Sequence, residues 1–186
     1  MTEKIKKGIH PQKFAMWSAI GSMIMMFGGF TSGYLVRRAQ GNWDIFDLPI
    51  LFWISTVVIL ISSITMHLSV KSLQKEKIAL HKSMVTITAL LGITFGILQF
   101  FGFSQLYNVN IKMSGNPSGS FLFVIAGAHL LHVMGGVVAL IVQYFKSARY
   151  NISKSYDTSG IEMVATFWHF VDILWLYLFV FFLFFR

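Results

Sequence analysis

The chain has 186 residues, of which 55% are hydrophobic, and its 15 Lys and Arg against 7 Asp and Glu give a formal net charge of +8. This composition, with 19 Phe and a positive mean hydropathy, is typical of a membrane protein and not of a soluble domain. The lack of cysteine excludes disulfides, thiolate-held iron–sulfur clusters, c-type haem attachment and a thiolate copper centre. We attribute the positive charge to membrane topology and not to nucleic-acid binding, because no basic segment carries interleaved aromatic residues.

Five apolar segments follow one another along the chain, and each is long enough to cross a bilayer core, which takes about 20 helical residues. Backbone groups inside a bilayer must be hydrogen-bonded within their own segment, so each segment is predicted to be an α-helix. The predicted fold class is therefore an all-α, polytopic membrane protein in which residues 1–186 form a single membrane domain. The predicted spans are residues 14–36, 48–70, 84–107, 120–145 and 161–185.

The distribution of Lys and Arg predicts the orientation of these helices, because basic residues accumulate in short cytoplasmic loops. One side of the membrane holds Lys4, Lys6, Lys7, Lys13, Lys71, Lys75, Lys77, Lys82, Lys146, Arg149 and Lys154, and the other holds Arg37, Arg38, Lys112 and Arg186. We therefore expect a cytoplasmic N-terminus and a C-terminus on the outside.

The first three predicted helices carry small and polar residues but few ionisable ones. Helix 1 includes Gly29 and Gly33, four residues apart, and small residues let membrane helices approach closely. This face packs either within the bundle or against another subunit. Helix 2 has Pro49 in its first turn, where proline is tolerated, and His67 near its inner end, while helix 3 contains Gln99.

The last two helices carry the ionisable residues that lie deepest in the predicted membrane. His132 and Asp172 are each near the middle of their span, on antiparallel neighbours, so they are predicted to lie at a similar depth. His129 is one turn from His132, and His169 is one turn from Asp172. A carboxylate at this depth costs about 3 kcal/mol on insertion scales unless it faces protein or water, so Asp172 needs a partner.

The buried polar residues have three competing explanations. Imidazoles ligate membrane haems, chains of Asp, Glu and His carry protons, and polar pairs fix the register of packed helices. We favour the third: His132, His169 and Asp172 are predicted to form one buried network, and His67 and Glu162 a second one near the cytoplasmic side. Haem ligation and a proton relay stay open as alternatives.

Two C-terminal motifs resemble a known protein family. The last helix of subunit III of haem-copper respiratory oxidases closely resembles the stretch Trp168-His169-Phe170-Val171-Asp172, with Glu162 before it and Trp175 after it. The preceding helix of that subunit resembles Gly127-x-His129-x-x-His132-Val133-x-x-Gly136, and a weaker match in helix 3 includes Gln99. The likeness extends over all five predicted helices.

The resemblance implies an accessory subunit, non-catalytic by itself, with no redox cofactor of its own. Haem and copper would reside in subunits I and II, and this subunit would stabilise catalytic subunit I, bind phospholipid and support proton uptake during oxygen reduction. The implied location is the plasma membrane of a bacterium, with a small subunit IV and a respiratory supercomplex as further partners. Electrons would come from cytochrome c, or from quinol in the alternative form of the family.

The chain also departs from the family pattern. Many members have seven helices, whereas this chain resembles the five-helix bacterial form, so lipid contacts of the extra helices do not carry over. Met23 stands where the family has a carboxylate, and Gly102-Phe103 replaces a Glu-Tyr pair. A transport or binding protein that acts alone is the remaining alternative, although five helices are difficult to divide into an inverted repeat.

Overall fold

Five α-helices make up the computed structural model of the chain, which describes residues 11–41, 43, 47–108, 111, 116–148 and 158–185. The helices are α1 (Pro11–Ala39), α2 (Ile50–Gln74), α3 (Ile78–Asn108), α4 (Pro117–Ala148) and α5 (Thr158–Phe185). All five are long and apolar enough to cross a membrane, and the described residues contain no strand. The predicted fold class of a five-helix, all-α membrane protein is confirmed, while the orientation of the termini stays a prediction.

The largest difference from the predicted spans lies between α2 and α3, because both helices continue past the apolar segments. Only residues 75–77 separate the two helices, and Glu76 adopts a φ of 58°. The Glu76 N–H donates to the Leu73 carbonyl and the Lys77 N–H donates to the Ser72 carbonyl, each at 2.9 Å. This is the Schellman pattern, which satisfies the last carbonyls of a helix.

Proline precedes α2, which begins at Ile50, two residues after the start of the predicted span at residue 48. Pro49 precedes the helix, with φ −54° and ψ 147°, instead of lying in its first turn. Its carbonyl accepts a 3.0 Å hydrogen bond from the Phe52 N–H. The ring therefore stays outside the helix while the carbonyl joins its first turn, as at other helix N-caps.

Helices α2 to α5 form a closed four-helix ring, and α1 lies outside it. In the described residues α2 packs against α3 and α5, α4 packs against the same two helices, and α1 packs against α4 and α5 alone. Large apolar side chains fill the ring, among them Phe52, Phe95, Trp168 and Trp175. The centre of the molecule is therefore an apolar core in which α2, α3 and α5 supply large aromatic side chains and α4 supplies buried aliphatic ones.

Candidate functional site

A row of hydroxyl side chains on α2 hydrogen-bonds to both of its neighbours in the ring; we call this row the hydroxyl ladder (Ser55, Thr56, Ser62, Ser63, Thr65 and Ser69). Toward α3, the bonds join Ser55 Oγ to Gln99 Nε2 at 2.8 Å, Thr65 Oγ1 to Thr88 Oγ1 at 2.8 Å and Ser69 Oγ to His81 Nδ1 at 2.9 Å. Toward α5, they join Thr56 Oγ1 to Trp175 Nε1 at 2.9 Å, Ser62 Oγ to Trp168 Nε1 at 3.1 Å and Ser63 Oγ to His169 Nδ1 at 2.7 Å. The ladder thus ties α2 to α3 and α5 along most of its length.

Three of the ladder hydroxyls can accept these bonds because their own protons are donated within α2. Ser55 and Thr56 each donate to the Phe52 carbonyl, at 2.9 and 2.7 Å, and Ser62 donates to the Ile59 carbonyl at 2.8 Å. Each hydroxyl oxygen then keeps its lone pairs for the N–H of a neighbouring helix. Hydrogen bonds between membrane helices contribute about 0.6 kcal/mol on average, so the ladder stabilises the ring through the sum of several modest terms.

Trp168 is the point at which α5 contacts every other helix of the ring. Its indole N–H reaches Ser62 of α2, and its ring lies between Gly92 of α3 and Gly136 of α4. A Cβ added at Gly92 would lie 2.6 Å from Trp168 Cη2, and one added at Gly136 would lie 2.9 Å from Trp168 Cε3. Both glycines are therefore required by the space that the indole occupies.

Trp175 occupies a similar position two turns further along α5. Its N–H donates to Thr56, and its ring stacks on His129 with 5.2 Å between centroids and 29° between planes. Phe95 meets the same indole edge-on at 5.1 Å. His129 is fully buried, and neither ring nitrogen has a hydrogen-bond partner in the described residues. This imidazole therefore acts in the fold as part of the apolar core.

The predicted network of His132, His169 and Asp172 does not form. His132 Nδ1 donates to the Ala128 carbonyl of its own helix at 2.7 Å, and its ring lies 5.7 Å from that of Phe27 on α1. His169 bonds to α2 instead. His132 thus faces α1 while His169 faces α2, because residues that match in depth can still point in different directions around their helices.

Asp172 is buried without a hydrogen bond. It is 3% exposed, and neither carboxyl oxygen has a hydrogen-bond partner among the described residues. The polar group that lies against it is the side chain of Ser63, whose hydroxyl bonds to His169. Among the described side chains of α5, Asp172 is thus the one with buried polar atoms that lack a hydrogen-bond partner.

The second predicted pair, His67 and Glu162, does not form either. Glu162 lies 3.9 Å from Lys13 Nζ on α1, and both side chains are about half exposed. His67 is exposed on α2, and its ring centroid is 6.4 Å from that of His169. The described residues contain no group of three or more His, Cys, Asp and Glu placed to hold a metal ion.

Comparison with known proteins identifies the family of this chain. The sequence model of cytochrome c oxidase subunit III matches residues 41–186. A probable cytochrome c oxidase subunit 3 from Nocardia farcinica is 30% identical over 165 residues, which cover 86% of this chain and 81% of that protein. The chain belongs to the cytochrome c oxidase subunit III family. A probable quinol oxidase subunit 3 from Staphylococcus saprophyticus is 26% identical over 173 residues, covering 90% of this chain and 85% of the relative.

The chain is accordingly an accessory subunit III of a haem-copper oxidase and a multi-pass membrane protein. Its family motif residues include the two tryptophans that fix α5 in the ring, together with Gly136, which makes room for one of them. Gln99 also takes part, through Ser55. By contrast, Gly127 has open space where a Cβ would lie, and nothing in the structure explains its presence.

The sequence of this subunit III did not predict the hydroxyl ladder or the burial of His81. A signal for the ladder is present, because Ser55, Ser62 and Ser69 recur at every seventh residue, which returns to nearly the same face of a helix. All three are fully buried. His81 gives no comparable signal, since it lies in the segment that the predicted spans leave between helices 2 and 3.

Proposed function

We propose that this subunit III stabilises the catalytic subunit of a proton-pumping oxygen reductase and supports its proton uptake. The supporting observation is that two residues of the family motif, Trp168 and Trp175, join all four ring helices through hydrogen bonds and close packing. A bundle held in this way is a rigid body against which a larger membrane subunit can pack. In this proposal subunits I and II carry haem, copper and the reduction of oxygen to water.

The proposed assembly lies in a bacterial plasma membrane with the N-terminus of this chain in the cytoplasm. Support comes from the bundle end formed by the α2–α3 turn, which carries Lys71, Lys75, Lys77 and Lys82, and basic loops of this kind face the cytoplasm. A small subunit IV and a supercomplex belong to the same proposal. The donor is cytochrome c, with quinol as the alternative, since relatives of both names are similar to this chain.

A phospholipid is the proposed bound cofactor of this subunit. An apolar cleft of about 260 Å³ runs between α1 and α5, lined in part by Ile24, Phe27 and Phe170. At the outer end of α1, the Arg38 guanidinium carbon lies 5.9 Å from the centre of the Phe185 ring. An acyl chain fits the apolar cleft, and a basic side chain at the end of the helices suits an anionic headgroup.

Purification of the tagged chain in mild detergent tests the proposed function. We expect haem in the dithionite-reduced visible spectrum of the purified material, and its loss when the partner subunits are stripped off. Haem that stays with the isolated chain would show that its own histidines are ligands. A preparation that never contains haem, together with a chain that is stable and active alone, would favour the transport or binding alternative.

A further inference from the structure

The carboxyl group of Asp172 lies at the middle of the predicted membrane without a hydrogen bond. Asp172 is 3% exposed, and neither of its carboxyl oxygens has a partner among the described residues. It is fourteen residues from Thr158, the first residue of α5, and so halfway along a helix of 28 residues. An unpaired carboxylate is costly at that depth. The folded subunit therefore holds Asp172 as the neutral acid, and its proton has to arrive through the protein.

One hydroxyl group stands between this carboxyl group and the next polar side chain. The Ser63 side chain lies against the Asp172 carboxyl group without a hydrogen bond to it, and Ser63 Oγ is 2.7 Å from His169 Nδ1. His169 is one turn before Asp172 on the same face of α5. A hydroxyl group donates one hydrogen bond and accepts others. Rotation of the Ser63 or the Asp172 side chain therefore allows Ser63 to bridge the carboxyl group and the imidazole.

His67 continues this series toward the end of the bundle that carries the α2–α3 turn. His67, Ser63 and His169 line the same surface cleft, and the centroids of the two imidazole rings are 6.4 Å apart, a gap that one water molecule can bridge. His67 is exposed and lies seven residues before the end of α2 at Gln74, which corresponds to about 10 Å along a helix. The polar groups thus follow one another from near the helix end to the buried carboxyl group of Asp172.

Other titratable side chains of the helices packed around α5 are engaged elsewhere. Within the described residues, the polar side chain that acts on Asp172 is that of Ser63, and the histidine that faces His169 is His67. The titratable groups on α4 and α1 are His129, which stacks on Trp175, His132, which bonds to the Ala128 carbonyl, and Lys13, which lies beside Glu162. The series from His67 to Asp172 is therefore separate from these groups.

We propose that Asp172 is a proton-exchange site of this subunit, and that Ser63, His169 and His67 form the route between it and the membrane surface. The inference rests on the proposed function and names the group through which the subunit supports proton uptake. Imidazoles suit such a route because each ring nitrogen can either donate or accept a proton.

The route transfers one proton without leaving a charge on its intermediate groups. A proton taken up by His67 passes to Nε2 of His169, and the Nδ1–H bond of His169 breaks as its proton moves to Ser63 Oγ. The Ser63 hydroxyl releases its own proton to the Asp172 carboxylate. The serine and both imidazoles end neutral, with His169 in its other tautomer, and the proton gained lies on Asp172. The reverse steps release this proton and restore the first tautomer.

Infrared spectroscopy of the purified complex tests the buried acid and its route. We expect a carbonyl band of a carboxylic acid that is absent from Asp172→Asn and that shifts after transfer from H₂O to D₂O. Ser63→Ala is expected to slow this shift about tenfold, as a barrier raised by the free energy of one hydrogen bond would. Thr65→Val is the matched control on α2, because it removes a hydroxyl bond to Thr88 of α3 and leaves the route intact, so its shift should keep the wild-type rate.

Two infrared results would overturn the proposal. If Asp172→Asn removes no acid band, the carboxyl group is not protonated in the complex. If the band shifts at the same rate in wild type and in Ser63→Ala, the proton reaches Asp172 by another way. Should Ser63→Ala fail to accumulate, His67→Leu gives the same measurement with the same slowing expected, since the exposed His67 lies at the outer end of the route.

Proton uptake during oxygen reduction separates this inference from the proposed function. Asp172→Asn is expected to lower the rate of proton uptake by the complex at unchanged haem content. Uptake at the wild-type rate in a variant complex that contains haem would overturn the exchange site and leave the stabilising role of the subunit standing. A wild-type preparation without haem would instead count against the proposed function itself.

Discussion

Two neighbouring glycines of α4 have different surroundings. A Cβ at Gly136 would lie 2.9 Å from Trp168 Cε3 and 3.3 Å from Phe167 Cε1, whereas a Cβ at Gly135 has nothing within 4 Å. We expect Gly136→Ala to destabilise the subunit by about 1–3 kcal/mol through overpacking. Gly135→Ala should change stability by less than about 1 kcal/mol.

The measurement for this glycine pair is the thermal unfolding midpoint of the subunit in detergent, followed by near-ultraviolet circular dichroism of the buried tryptophans. A lower midpoint for Gly136→Ala than for Gly135→Ala is the expected result. Identical midpoints would mean that the Trp168 indole can move away from α4 at little cost, and its role as the common contact of the ring would not hold.

Asp172 and Thr56 give a second comparison between single residues. The Asp172 carboxyl group accepts no hydrogen bond in the described residues, so Asp172→Asn removes none and should leave the unfolding midpoint unchanged or raised, since an unpaired buried carboxyl is costly. Thr56→Val strips the acceptor from the Trp175 N–H and should cost about 1–3 kcal/mol. Equal losses in the two variants would reveal a partner for Asp172 in the folded subunit.

At the scale of helices, a match in predicted depth did not bring the polar side chains together. The sequence predicts that His67 and Glu162 pair because both lie near the predicted inner ends of their helices, yet Glu162 faces Lys13 of α1 and His67 is exposed. Depth follows directly from residue count, at about 1.5 Å per residue. The direction of a side chain depends on how each helix is rotated in the bundle, and that rotation is set by packing at residues such as Trp168 and Gly92.

The fold could be predicted from the sequence more completely than the candidate site. Runs of apolar residues fix the number and approximate bounds of membrane helices, because the bilayer imposes a length and requires helical hydrogen bonding. The hydroxyl ladder was not predicted because serine and threonine are common in membrane helices, where their hydroxyls can donate to a carbonyl of their own helix. Ser62 does so to the Ile59 carbonyl. Their bonds to neighbouring helices become evident only with the structure.

The turn between α2 and α3 offers a prediction at the same scale. Glu76 occupies the C′ position of a Schellman motif with φ 58°, where a side chain is strained and glycine is favoured. Glu76→Gly is therefore expected to stabilise the subunit by about 1 kcal/mol. Lys75→Gly in the same turn is the control, since Lys75 has a φ of −94° and gains nothing from glycine. A midpoint that falls for Glu76→Gly and for Lys75→Gly alike would contradict this explanation.

At the scale of the whole molecule, α1 is attached to a ring that is complete without it. In the described residues α1 packs against α4 and α5 alone. Its polar links include the Thr31–Tyr177 hydroxyl pair at 3.0 Å, the bond from the Tyr34 hydroxyl to the Phe185 carbonyl at 3.0 Å and the half-exposed Lys13–Glu162 pair. None of them engages the hydroxyl ladder or the two tryptophan N–H groups.

This arrangement predicts that α1 separates before the ring opens. A protease site placed between Gln40 and Asp47 would cut the chain before α2, and a matched site at residues 75–77 would cut inside the ring. The measurement is unfolding of the cut subunit in increasing SDS. After the first cut, we expect residues from α2 onward to keep the near-ultraviolet circular dichroism of Trp168 and Trp175 up to nearly the SDS fraction at which the uncut subunit unfolds. We expect α1 to dissociate at a lower SDS fraction. The second cut should lower the midpoint of the ring itself, because it removes the turn that holds α2 against α3. If the first cut lowers the ring midpoint as much as the second, then α1 contributes to the core through contacts beyond its packing on α4 and α5.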